Sequence, residues 1–437
     1  MKQHSLSRRD FFKATGVAGL AAVVASPTRA QNKGKREKIR IGLIGAGSRG
    51  THAGITDCAE ADQDIELIAI GDLFPDHLER APDEIRKAME RRGLPFESIF
   101  KVTPERMFSG FDAYEQVIAC DVDLVILTTP PVFRPLHLKA AVNAGKHIFV
   151  EKPVAVDPAG VRDFTTTSEL AEKKGLTLVA GTQMRRARHI MAAVEQVRSG
   201  AIGTILAGQS SRIGGALTGF RPGEAIRQSH WSDMEWQLRR WLFTVWSSGD
   251  FLVEQHVHNL DLIDWLMDAH PVQAVGFGGR QARTDSIYPN VWDHLSVEYK
   301  YPNGRRISHL GTQMDGLSDR NDIRLVGDKG ELYLDFRVAR IKGENPFEYS
   351  GPSVNPAVQQ YRDTLDSIRS GTPINEGRRI AQSTMTAVLG RIAAYTGRSV
   401  SWDWAMNASV QDLTPANWEF GDLPLAPPAV PGRTPLV

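Results

Sequence analysis

Three short stretches of the chain carry residue types that could do chemistry. Ile41-Gly42-Leu43-Ile44-Gly45-Ala46-Gly47-Ser48-Arg49-Gly50 places three glycines at G-x-G-x-x-G spacing directly after an apolar run. In that context Gly45 allows a tight turn, Gly47 lets the backbone approach a pyrophosphate, and Gly50 lets a helix pack closely on a strand. Ser48 and Arg49 fall beside the phosphates. The second stretch, Glu151-Lys152-Pro153, directly follows the apolar run Ile148-Phe149-Val150. A lysine at the carboxyl end of a strand can hydrogen-bond a substrate hydroxyl and stabilise developing alkoxide charge. The proline biases its predecessor toward an extended backbone, which would aim that lysine into a cleft. A surface lysine is the plainer alternative.

The third stretch is Glu254-Gln255-His256-Val257-His258-Asn259-Leu260-Asp261. On a continuous helix Glu254, His258 and Asp261 share one face, and His256 points elsewhere. A histidine titrates nearest neutrality, which suits a base that takes a hydroxyl proton. His258 is the candidate, with Glu254 placed to orient or polarise it; a packing histidine is the alternative. No third strong ligand accompanies these histidines, so no metal is assigned. Taken together, the three stretches point to hydride transfer coupled to proton transfer.

Other residues fill in the site. Asp72 closes the second apolar run, 27 residues after Gly45, where about 20 is usual; the polar stretch Ala59 to Asp64 absorbs the excess. Its carboxylate is placed to accept from adenosine ribose hydroxyls and would repel a 2′-phosphate. NAD is therefore preferred, with NADP left open by Arg80. An aspartate that merely caps the next turn is the other reading. Thr128, Thr129 and Pro130 end the next strand and are expected to line the cofactor groove with Glu151 and Lys152. Arg185 and Arg186 are candidates for a polar substrate, or for ion pairs across a domain boundary. Trp231, Trp236, Trp241 and Trp246 crowd one excursion, where stacking on a sugar face competes with core packing. Trp241 is carried forward as a substrate contact, with His230 and Asp233 as weaker ones.

The elements that must position these residues alternate between strand and helix from about Lys38 to Gly181. Strands are expected at Ile39 to Ile44, Ile65 to Ile70, Val122 to Leu127, Ile148 to Val150 and Leu176 to Ala180. Helices are expected at His52 to Ala59, Pro82 to Arg92, Leu136 to Ala144 and Val161 to Lys174. That rhythm predicts a Rossmann-type parallel sheet covered on both faces. Beyond it, a helix at Ile190 to Ser199 and a strong helix at Phe251 to Met267 precede strand-like runs at Val272 to Phe277, Leu295 to Tyr299, Arg306 to Leu310, Asp322 to Val326 and Glu331 to Phe336. Turns such as Pro302-Asn303-Gly304 between them predict a large, mainly antiparallel sheet in an α+β domain. Its free face suggests a partner subunit, hence a homodimer or homotetramer. Val358 to Ser370 and Ala381 to Gly397 read as C-terminal helices that pack back on one of the domains. The domain reading is therefore an export segment at 1–30, a polar linker at 31–37, a dinucleotide-binding domain at 38–181, a substrate-binding and oligomerisation domain at 182–412, and a proline-rich arm at 413–437.

Bulk properties narrow the class. The formal net charge is +1, which gives no electrostatic support for a nucleic-acid partner. After the first thirty residues no apolar run approaches the length of a membrane span. The two cysteines, Cys58 and Cys120, form no ligand cluster and read as small buried residues. Ser7-Arg8-Arg9-Asp10-Phe11-Phe12-Lys13, the mildly apolar Ala14 to Ala25 and the small residues near Ala30 have the layout of an export signal. Its paired arginines are of the twin-arginine type. Engagement of that machinery implies export to the periplasm after folding, with a cofactor loaded beforehand.

From Lys38 to about Trp404 the chain resembles the Gfo/Idh/MocA family of NAD(P)-dependent sugar and polyol oxidoreductases. The glycine turn at Gly45 to Gly50, Glu151-Lys152-Pro153 after the fifth strand, and the carboxylate-x-x-x-histidine helix at Glu254 and His258 carry the resemblance. The family's usual carboxylate is aspartate; here Glu254 stands in its place. The resemblance implies Lys152, Glu254 and His258 as catalytic set, a sugar, glycoside or cyclic polyol as substrate, and a large open sheet that often forms dimers or tetramers. The export signal and proline-rich tail are similar to those of exported bacterial members, and a tightly held cofactor is one of the two states, retained or exchangeable, that this resemblance leaves open. Two other functions stay open: a glycosidase-like route of transient oxidation, elimination and cofactor regeneration, and a non-catalytic periplasmic sugar-binding protein.

Overall fold

The computed structural model describes residues 38–215 and 226–437. The expected export segment and linker lie outside the described residues, as does part of the tryptophan-rich excursion.

The amino-terminal half is a six-stranded sheet of β1 (Ile39–Ile44), β2 (Ile65–Asp72), β3 (Met107–Ser109), β4 (Leu124–Leu127), β5 (His147–Val150) and β6 (Leu178–Ala180), in the order β3-β2-β1-β4-β5-β6. Every pairing is parallel. Helices cover both faces, so the strands are apolar on both sides: Ile41, Leu43, Leu124, Ile126, Ile148 and Phe149 are all fully buried. Chain direction around the sheet reverses between β1 and β4, and their carboxyl ends open a crevice there. After β1 a π-helical turn, Arg49–Gly54, leads into the helix Ile55–Ala61. The charged helix begins earlier than its sequence suggested, at Pro75 rather than Pro82. A proline is well tolerated in a first turn, where its missing N–H has no partner to lose, and Pro82 sits inside the helix.

The second sheet has nine strands: β7 (Ile205–Ile213), β8 (Gln273–Gly279), β9 (His294–Lys300), β10 (Arg306–Thr312), β11 (Arg320–Gly327), β12 (Gly330–Asp335), β13 (Ala339–Gly343), β14 (Phe347–Glu348) and β15 (Val400–Ser401). Their order is β14-β13-β12-β11-β7-β10-β9-β8-β15, with β7 and β10 the single parallel pair. Alternation along β9 sets its faces: Leu295, Val297 and Tyr299 are buried, while Ser296 and Glu298 are half-buried. Helices cover the buried face. On the other face Val275 and Phe277 are exposed.

The C-terminal helices Pro356–Ser370 and Gly377–Thr396 both return to the first half. Tyr361 stacks on Phe149 at 4.1 Å, and Arg369 pairs with Asp62. Gly377–Thr396 is buried along nearly its whole length. It needs glycine where it meets both halves: a Cβ at Gly377 would overlap Ser168, and one at Gly390 would overlap the Tyr299 hydroxyl.

The helix expected from Phe251 to Met267 is two helices, Asp250–Glu254 and Val257–Met267. The break has a physical cause. His256 is drawn into a buried hydrogen bond with His309 at 2.9 Å, and His309 in turn meets Ser210. Gly311 leaves room for the His256 ring. The backbone ladder adjusts, with His256 N–H donating to Phe251 and His258 N–H to Gln255. Both cysteines are free; Cys58 is buried, but Cys120 is only half-buried. No helix among the described residues is long and apolar enough to cross a membrane.

Candidate active site

The glycine turn is built by contact with the end of β4. Gly45 has φ of 102°, a left-handed conformation that favours glycine. A Cβ there would lie 2.8 Å from the Thr128 backbone carbon, and one at Gly50 would overlap the Gly45 carbonyl. The Thr128 hydroxyl donates to the carbonyls of Ile44 and Gly45, at 3.1 and 2.7 Å, and clamps the turn. At Gly47, by contrast, nothing lies within 4 Å of the Cβ position, so the turn offers an open backbone edge. Gly45, Gly47 and Thr128 border a cleft of about 320 Å³ together with Ser48, Arg49, Asp72, Thr129 and Pro130. Of the residues expected to bind cofactor, Gly50, the buried Glu151 and the half-buried Lys152 lie outside that lining. Trp241 is the one member of the tryptophan group that reaches it.

Asp72 is largely occupied by the protein itself. Its carboxylate accepts from the N–H groups of Ala46 at 2.6 Å and Phe74 at 2.9 Å, with His77 Nδ1 3.1 Å away. It caps the turn and borders the cleft at once. Arg80 is paired with Asp76 at 2.8 Å.

The chemical side begins with Glu151. Its buried carboxylate accepts from Arg49 Nε and Nη2, at 2.8 and 2.6 Å. That pair links the glycine turn to the segment after β5. Gly181 makes room for it, since a Cβ there would lie 2.6 Å from Glu151 Oε2. Arg134, buried and with its pKa pushed down to about 10 by desolvation, donates to the carbonyls of Thr129 and Pro153. It ties the loops after β4 and β5 together. The Lys152–Pro153 peptide is cis. Lys152 Nζ donates to the Glu254 carbonyl at 2.6 Å and to Glu254 Oε1 at 3.1 Å. An ammonium carries three donors, so one is left for a substrate oxygen. Burial pushes the Lys152 pKa down, and Glu254 and Glu151 pull it back up.

His258 and His256 contrast sharply. His256 is closed into the His309 chain. His258 is half-buried, and its Nδ1 is buried with no hydrogen-bond partner. Its pKa lies well below the usual value because of burial first, then the charges of Lys152, Arg212 and Arg49. It is a neutral imidazole beside a cationic lysine, as a proton acceptor should be. Glu254 does not orient it, contrary to expectation: its carboxylate holds Lys152 instead. Asp261 is held by Arg185, Arg379 and Ser383, and the break before Val257 separates it and His258 from Glu254.

Arg185 and Arg186 are both engaged in ion pairs. Arg185 forks onto Asp261 at 2.7 and 3.0 Å. Arg186 bonds Asp363 and Glu376, at 3.1 and 2.8 Å. The ion-pair alternative describes both. Asp233 pairs with Arg227, and the exposed His230 lies edge-on to Trp231.

One residue the sequence reading missed is Arg212. It projects from β7 with Ser210, on the face toward the broken helix, and donates to the Gln255 carbonyl at 2.8 Å. No carboxylate among the described residues pairs with it. Arg212 and Gln255 border a second, polar cavity of about 670 Å³. A charged residue at an inward position of a strand was the available signal, but β7 itself was not recognised. No group of three or more ligand side chains among the described residues could hold a metal ion.

Residues 39–182 match the model of an oxidoreductase family with an NAD-binding Rossmann fold, Gfo/Idh/MocA. Residues 190–333 match the Gfo/Idh/MocA C-terminal domain. A glycosyl hydrolase family 109 protein of Shewanella amazonensis is 28% identical over 225 residues, 48% of this chain and 46% of that protein. The 2,7-anhydro-N-acetylneuraminate hydratase of Escherichia coli is 26% identical over 258 residues, 58% of this chain and 62% of that one. The chain thus spans about half the length of the curated relatives it matches. In fold it is similar to aldose-aldose oxidoreductase from Caulobacter crescentus complexed with glycerol, with a TM-score of 0.63 and 20% identity over 84% of this chain and all of that one.

Proposed function

The chain belongs to the Gfo/Idh/MocA oxidoreductase family, and from that premise we propose that it oxidises a secondary hydroxyl, or reduces the matching ketone, on a sugar, glycoside or cyclic polyol. The observation that carries this reading is the pair of ion pairs Arg49–Glu151 and Lys152–Glu254, with an unpartnered His258 imidazole that feels the charges of Lys152 and Arg49. In this reading Lys152 is the hydrogen-bond donor and His258 the neutral imidazole for the reacting hydroxyl.

The residues present fit a nicotinamide dinucleotide. The open edge at Gly47, the clamped turn at Gly45 and the cleft lined by Thr129 and Pro130 suit a pyrophosphate and its flanking riboses. Bound there, the group supplies a two-electron acceptor or donor for the substrate carbon. The chain supplies the rest. His258 takes the proton of the reacting hydroxyl onto its neutral ring. Lys152, fixed by two bonds to Glu254, uses its remaining N–H to hold that oxygen and stabilise its developing charge. Arg212 and Gln255 contribute polar contacts for the remaining hydroxyls. In the reverse direction the imidazolium returns the proton.

The test is mass spectrometry of nucleotide released from native protein, followed by a sugar and polyol screen read at the NADH absorbance. A protein that neither carries nor binds NAD or NADP would overturn the reading.

A second route is supported by the names of the relatives, which include a glycosyl hydrolase and a hydratase. In it the same groups oxidise the sugar transiently, allow elimination of the aglycone, and return the electrons after water adds. Incubation with a chromogenic glycoside and no added NAD separates the two. Aglycone release without lasting NADH means redox-assisted hydrolysis; lasting NADH without release means simple dehydrogenation.

Export by the twin-arginine route and assembly through the open sheet face extend this reading. Lysines at Arg8 and Arg9 should retain the protein in the cytoplasm on fractionation. Phe277→Glu should lower the mass seen by light scattering. Unchanged results would remove the respective extension.

A further inference from the structure

The arm that begins near Leu413 has no regular secondary structure, yet it is fastened along its length. At its base Leu413 N–H donates to Asp157 at 2.6 Å. Farther on, Asn290 and Trp292 donate to the carbonyls of Ala426 and Ala429, at 3.0 and 3.1 Å. Between these anchors the arm packs against side chains that border the nucleotide cleft. Trp418 packs on Phe133 with ring centroids 4.7 Å apart and reaches Phe111 at 6.2 Å. Phe420 lies on Phe111 at 5.0 Å and stacks on Phe74 at 6.0 Å. Phe74, Phe111 and Phe133 all line that cleft.

The same segment holds the opposite wall. Leu238 and Arg239, from the helix Asp233–Arg239, border the cleft from the second half. That helix is bonded to the arm three times: Met234 N–H to Gly421, Gln237 Nε2 to Leu423 at 2.6 Å, and Leu423 N–H to Asp233. Arg239 also lies over the Phe74 ring, 4.1 Å from its centroid. The two walls come from distant parts of the sequence, and the arm contacts residues of both.

We propose that the segment from Leu413 to Leu423 is a strap that joins the two walls of the nucleotide cleft and slows release of the dinucleotide. Trp418 and Phe420 are its positioning residues, and act through Phe74, Phe111 and Phe133 rather than by touching the reacting atoms. The inference rests on the cofactor reading above and adds a part of the chain to it. Affinity changes of this kind fall mainly on dissociation.

The experiment measures NADH dissociation by stopped-flow displacement, with W418A, F420A and the control L425A. Leu425 is an exposed arm residue outside the aromatic contacts. Dissociation should quicken about tenfold in W418A and F420A, stay at the wild-type rate in L425A, and recover in Trp418→Phe and Phe420→Tyr. Melting of nucleotide-free protein should change little in F420A, whose side chain is partly exposed. Wild-type dissociation rates in both alanine variants would overturn the strap. A lowered melting temperature with an unchanged rate would do the same, and would assign the arm to stability alone. A wild-type protein that binds neither NADH nor NADPH would instead overturn the cofactor reading itself.

Discussion

The two ends of the cleft are built in opposite ways. At the nucleotide end the backbone does the positioning: glycines at 45, 47 and 50, the carbonyls that Thr128 clamps, and the amides that Asp72 caps. At the end proposed for proton transfer, side chains from three separate elements converge: Lys152 after β5, Glu254 and His258 on either side of a helix break, and Arg212 from β7. A backbone-built site is sensitive to added volume and indifferent to most charge changes. A side-chain site is the reverse. The contrast separates substitutions that should lose the nucleotide from those that should lose the chemistry.

The largest expected effect is at Lys152. Lys152→Met should lower kcat by about a thousandfold, the scale of removing one donor to a developing oxyanion, while NADH binding stays near wild type. It also leaves Glu254 buried without its cation, which costs roughly 3–5 kcal/mol of stability when one partner of a buried pair is removed. A double variant, Lys152→Met with Glu254→Gln, should therefore regain melting temperature without regaining turnover. If turnover returned too, the lysine would be a structural residue. His258→Asn comes next, with a loss of about a hundredfold or more in kcat. The matching change at His256 should act through stability, because its ring is closed into the chain to His309 and Ser210.

At the other end Gly50→Ala should behave inversely. Its Cβ would overlap the Gly45 carbonyl and press on the Thr128 hydroxyl at 2.9 Å. Dinucleotide affinity should fall by about tenfold or more, and kcat at saturating cofactor should hold. Isothermal titration and saturation kinetics on one preparation decide it. A fall in kcat with affinity intact would erase the division between the two ends.

The same division explains what the sequence made legible. The glycine turn, the strand before it and the lysine after β5 are local signals, because spacing and flanking apolar runs define them. The parallel character of the first sheet follows from that rhythm, and so do the hairpins of the second sheet. What stayed hidden depends on tertiary partners. β3 is three residues long, too short for any period. β7 carries polar residues on both sides, since its inward Ser210 and Arg212 bond His309 and the Gln255 carbonyl at the helix break. The break after Glu254 cannot be read from helix propensity; His309 and Gly311, more than fifty residues away, cause it. Arg185 and Arg186 were read as both contacts and ion pairs, and their carboxylates, Asp261, Asp363 and Glu376, meet them only in the fold.

Arg212 offers the smallest and most discriminating prediction. Its charge, with those of Lys152 and Arg49, holds the His258 pKa below the usual value, and burial adds the largest part. The free-enzyme pKa of an essential base sets the acid limb of kcat/KM against pH. With Arg212 present the limb should lie below the ordinary histidine range, so that the base is neutral across physiological pH. Arg212→Met removes a positive charge from beside the ring, which favours the imidazolium and raises its pKa. The acid limb should then move to higher pH, by on the order of half a unit for a charge a few ångströms away in a half-buried site. Below that limb the variant should lose activity faster than wild type, and above it the two should converge apart from any change in KM. A limb that stays in place while KM rises would make Arg212 a substrate contact without influence on the base. A limb that moves to lower pH would mean that the group titrating there is not His258.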